Sequence, residues 1–175
     1  VPEAASRVSA LQSGEVDLAA VVPLQDVARL KSDNGLEVLV NPNGGPLHVR
    51  LYSNVPSHPF SKREVRQALS YAVDTNAIIK GILYGNGSPM GSFISRYYPY
   101  GGDPDLKPYP YDPAKARELL AKAGYRNGFE VKLYGGTDQP KELAEAVAAY
   151  WSQIGVKTEI VRMDYPAFIR LNNTH

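Results

Sequence analysis

Two short runs in this chain combine side chains that could grip a polar solute. Gly135-Gly136-Thr137-Asp138-Gln139 lies between a strand pattern at 129–134 and a helical pattern at 140–154. A loop leaving the C-terminal end of a parallel strand and entering a helix points backbone N–H groups and a helix dipole outward, where ligands of open α/β sheets bind. Gly136, Thr137, Asp138 and Gln139 are therefore candidate ligand contacts. The competing reading is an ordinary connection with Asp138 as the helix cap. The second run is Arg96-Tyr97-Tyr98-Pro99-Tyr100. A cation beside aromatic faces suits stacking on a polar ligand, which makes Arg96, Tyr97 and Tyr98 candidates as well. Here the competing reading is that the rings only anchor a long loop to the core.

Catalytic patterns are missing. The sequence has no G-x-S-x-G elbow, no Walker A loop and no H-E-x-x-H helix. With no cysteine, thiolate metal sites, disulfides and cysteine nucleophiles are excluded. His48, His58 and His175 lack ligand spacing, and Asp103, Asp105 and Asp112 lack the order of a calcium loop and read as turn and cap residues. Nineteen Lys and Arg against eighteen Asp and Glu leave a net charge of +1, which creates no field to attract nucleic acid or an acidic membrane surface. The expectation is binding without catalysis: no enzyme, no cofactor, no metal.

The elements that must position these runs follow from periodicity. At 175 residues with 43% hydrophobic side chains, the chain suits one domain or one lobe of something larger. It opens on Val1, which suggests a processed or truncated product. Pro2, Ala4, Val8 and Leu11 predict a helix stopped by Gly14, and a short helix carries Leu24, Val27 and Leu30. Strands are expected at 16–22, 36–40 and 47–52. Ser61 and Glu64 predict a capping box ahead of a helix whose stripe is Val65, Ala68, Leu69, Ala72 and Val73. Asp74 starts another helix. From 85 to 113, eleven of 29 residues are Gly or Pro and five are Tyr, so an irregular excursion pinned by aromatic rings is expected. Asp112-Pro113 opens the next helix, which Gly124 stops. The run from 129 to 162 then reads strand, loop, helix, Gly155, strand. That β-α-β unit implies parallel strands. Asp164 caps a last helix.

Several segments, in order, resemble the family 5 solute-binding proteins of bacterial ABC importers, the dipeptide, oligopeptide and nickel group. They are Leu11-Gln12-Ser13-Gly14-Glu15-Val16-Asp17-Leu18-Ala19, Pro59-Phe60-Ser61, and Val65-Arg66-Gln67-Ala68-Leu69-Ser70-Tyr71-Ala72-Val73-Asp74. Asp105-Leu106-Lys107-Pro108-Tyr109, Tyr111-Asp112-Pro113-Ala114-Lys115-Ala116 and Leu119-Leu120-Ala121-Lys122-Ala123-Gly124-Tyr125 continue the match. The resemblance implies an α/β fold, a truncated lobe of the type II periplasmic-binding-protein kind. Residues 1–50 would end a first lobe and lead to the hinge, and 51–175 would form most of a second, incomplete at its C-terminus.

It further implies an extracytoplasmic protein that captures a peptide or similar small polar solute by hinge closure and delivers it to ABC permease subunits. Contact with the membrane would run only through the permease or a lipid anchor. The alternatives are a ligand-sensing module of a transcriptional regulator or a non-transport interaction domain. Two departures from the family pattern are visible: Thr75 stands where Arg is common, and a Gly-Trp…Asp-Pro segment has no counterpart. By position, the family's ligand loop falls on Gly136 to Gln139, where no arginine stands.

Overall fold

The computed structural model describes residues 3–41, 45–94, 100, 103, 105–137 and 139–173. Helices α1 (Ala4–Gln12) and α2 (Val27–Lys31) come first. Helices α3 (Arg63–Tyr71), α4 (Thr75–Gly81) and α5 (Pro113–Lys122) follow. The chain then runs through β1 (Phe129–Gly136), α6 (Lys141–Ser152), β2 (Val156–Met163) and α7 (Tyr165–Asn173). Among the described residues, β1 and β2 form one two-stranded parallel sheet, with Phe129 opposite Val156 and Gly136 opposite Met163.

Local chemistry explains the helix starts. Asp112 accepts a hydrogen bond from the Lys115 N–H at 2.8 Å, with Pro113 in the first turn. Asp74 does the same for Ala77 at 2.9 Å and Asp164 for Ala167 at 2.7 Å. The capping box expected at Ser61 and Glu64 does not form. His58 Nδ1 accepts from the Phe60 N–H and winds Pro59–Ser61 into a 3₁₀ turn. That turn delays α3 until Arg63, leaves Lys62 at the N-cap and turns the Ser61 hydroxyl to the Pro56 carbonyl. Arg66 fixes the same turn by donating to the Phe60 and Ser61 carbonyls.

The main core joins α3, α5, α6 and the sheet. Ala68 and Ala116 are fully buried, and their small side chains let α3 and α5 approach closely. Leu69, Leu120, Trp151, Ile154, Val131 and Val156 fill the rest. The Trp151 indole N–H donates to the Leu69 carbonyl at 3.2 Å, fastening α6 to the end of α3. At the base of the sheet, Gly128 has φ +73°, and a Cβ there would lie 1.8 Å from the Gly155 carbonyl oxygen. Only glycine permits that backbone approach.

Three expected strands are absent. Residues 16–22, 36–40 and 47–52 lie outside any sheet. Their side-chain pattern is strand-like, but a strand needs a partner for its backbone groups, and no described segment supplies one. Leu18, Val21, Leu39 and Val40 consequently stand well exposed. Between 85 and 113 the described residues before α5 are irregular, and rings do anchor the end of the excursion. Tyr109 packs edge-on against Tyr71 and Tyr111 against Tyr150. Tyr100, by contrast, is 88% exposed.

Candidate functional site

The β1–α6 loop is built by the parallel pairing beneath it. In register, residues on neighbouring parallel strands point to the same side. Phe129, Val131 and Leu133 therefore share with Val156, Thr158 and Ile160 the face that packs on α6. The opposite face carries charges matched across the ladder, Lys132 with Glu159 at 3.4 Å and Lys157 with Glu130 at 3.2 Å. Exposed pairs of this kind contribute little stability, so their effect is to keep that face polar.

At the C-terminal end of the sheet, Gly136 is the last, buried residue of β1. The Thr137 N–H continues the ladder by donating to the Met163 carbonyl at 2.9 Å. Gln139 closes the turn with its N–H on the Gly136 carbonyl at 3.4 Å. Its own carbonyl accepts from Arg162 at 2.9 Å. Pro140 is the N-cap of α6 and provides no side-chain cap, so the first turn of that 12-residue helix is not closed by a carboxylate or hydroxyl at that position.

The structure thus brings Gly136, Thr137 and Gln139 together at one edge. Asp138, Arg96, Tyr97 and Tyr98 lie outside the described residues. Arg162 was missed by sequence reasoning. The loop itself holds no cation, and Arg162, on the neighbouring strand, stands opposite Gly135 only through the register.

His48, His58 and Asp103 make local contacts in the structure. His48 packs edge-on against Phe93, and His58 caps its own turn. Asp103 accepts from the Asp105 N–H in a tight turn. Among the described residues, no group of three His, Asp or Glu side chains could hold a metal ion, and no helix is long and apolar enough to cross a membrane. Two described groups have pKa values raised above the ordinary range, and both lie away from the loop. The Glu118 carboxylate raises Lys115 through a hydrogen bond, and burial raises Tyr150. The hollow bordered by the loop is open and continuous with the irregular segments at 17–22, 35–41 and 45–52, about 3020 Å³ in all. That is several times the roughly 300–1,000 Å³ of a small-molecule pocket, so side chains rather than volume define the candidate site.

Comparison with known proteins gives a consistent picture. The chain is 36% identical over 175 residues to heme-binding protein A of Haemophilus influenzae, covering 94% of this chain and 31% of the relative. It is 32% identical over 161 residues to a glutathione-binding protein of Escherichia coli, covering 91% of this chain and 31% of that protein. In structure it matches the periplasmic binding protein DppA of Helicobacter pylori, solved with the peptide STSA, with TM-score 0.75 and 29% identity. That match covers 97% of this chain and 32% of the other. The fold is that of a periplasmic-binding-protein lobe, and the chain spans about a third of the length of the relatives it matches. The profile described as bacterial extracellular solute-binding proteins, family 5 middle, matches residues 1–174, and the chain belongs to that family.

Proposed function

We propose that this chain is part of an extracytoplasmic solute-binding protein of an ABC importer, which captures a peptide or similar small polar solute and delivers it to the permease. The observation that carries the reading is the family match across residues 1–174. The loop at the sheet's C-terminal edge adds a place for the solute, at the position where open α/β sheets bind ligands. Gly136, Thr137, Asp138 and Gln139 are its proposed contacts, with Arg96, Tyr97 and Tyr98 as a second group. The relatives point to a class of solute, since peptides, glutathione and heme all carry carboxylates on a larger body.

Residues 1–50 are proposed to close a first lobe and 51–175 to make most of a second. Two separate sets of buried side chains support that division. Val8, Ala10, Val27 and Leu30 are buried outside the main core, which runs from Phe60 to Val156. Capture would then proceed by closure of the lobes about their junction near residue 50, with no bond made or broken.

Native mass spectrometry of the protein purified without unfolding from its source cells tests the reading. A small adduct that is lost on mild activation is the expected result. Protein that arrives bare and takes up none of a peptide panel would overturn it.

A further inference from the structure

The last rung of the core-facing side of the sheet differs in kind from those before it. Leu133 beside Ile160 is an apolar pair, whereas the next rung sets the Arg162 guanidinium beside Gly135, which has no side chain. A methyl group at Gly135 would meet no atom within 4 Å, so the space next to the guanidinium is open. Charges on the other side of the strands are matched in cross-strand ion pairs, but among the described residues Arg162 is in no ion pair. Its hydrogen bond to the Gln139 carbonyl, 2.9 Å long, employs one of five guanidinium donors and orients the planar fork. A half-buried, oriented guanidinium facing open space is matched best by a planar anion that accepts two parallel N–H bonds.

We propose that Arg162 is a ligand-binding residue that receives a carboxylate of the solute, with the open space over Gly135 admitting it. The proposal rests on the solute-binding reading above. It also explains how a carboxylate is held although the loop from 136 to 139 contains no arginine.

The test is calorimetric titration of the chain with the tetrapeptide Ser-Thr-Ser-Ala and with its C-terminal amide, using wild type, Arg162→Gln and Arg162→Lys. Thermal unfolding of each variant checks the fold. Wild type is expected to prefer the acid by about tenfold or more, the scale of one charge-assisted contact. R162Q should bind acid and amide alike, and R162K, which keeps the charge but loses the fork, should retain only part of the preference. If R162Q does not fold, R162K alone decides through that partial loss. A preference undiminished in the folded variants would overturn the role of Arg162 while leaving solute binding intact. Equal binding of both peptides by wild type would do the same. Failure of wild type to bind either peptide would instead overturn the peptide-binding reading, and this proposal with it.

Discussion

Trp151 is the side chain on which the junction of α3, α6 and the sheet depends. It is 3% exposed, and its N–H satisfies the Leu69 carbonyl. That carbonyl lies in the last turn of α3, and the Val73 N–H, which would otherwise reach it, donates to Ser70 instead. In Trp151→Phe the ring remains but the donor is gone, leaving a buried acceptor unpaired at a cost of about 1–3 kcal/mol. The smaller ring also leaves a void. Complete truncation of a core aromatic costs about 3–5 kcal/mol, so the partial loss is set at about 1 kcal/mol. The expected total is about 2–4 kcal/mol. Ile154→Val in the same core removes one methylene and no hydrogen bond, and should cost about 0.5–1.5 kcal/mol. Urea unfolding followed by far-ultraviolet circular dichroism measures both; fluorescence does not serve for W151F, since Trp151 is the sole tryptophan. Equal losses in the two variants, with unchanged m-values, would refute the assignment of the indole N–H as the tie between α6 and α3.

Two further perturbations separate other causes. Gly124→Ala and Gly128→Ala both place a side chain at positive φ, which costs about 1–2 kcal/mol. Only Gly128 also meets backbone, so G128A should lose clearly more stability in the same urea assay, and parity would contradict the close approach to Gly155. Asp112→Ala removes the cap on the Lys115 N–H and should cost about 0.5–2 kcal/mol, read as a lowered urea midpoint. An unchanged midpoint would mean that Pro113 alone starts α5.

What could be read from the sequence was what local chemistry decides. Asp74, Asp112 and Asp164 cap the helices their positions announce, and the unit from Phe129 to Met163 forms with its strands parallel. The capping box at Ser61 failed because the histidine three residues earlier organised a competing turn. The segments at 16–22, 36–40 and 47–52 failed for a different reason, since strand pairing is non-local and periodicity reports only which side chains want burial. Arg162 was hidden in the same way. Its neighbour Gly135 is close only through the register of two strands separated by a helix.

The function proposed for this chain turns on a solute bound at the C-terminal edge of β1 and β2. Amide-resolved NMR of the chain during titration with Ser-Thr-Ser-Ala locates the bound peptide residue by residue. Saturable shifts concentrated on residues 135–137, 139 and 162–163 are the expected result. Saturable shifts confined to the exposed apolar residues within 16–22, 36–40 and 47–49, with the sheet edge silent, would place the solute elsewhere.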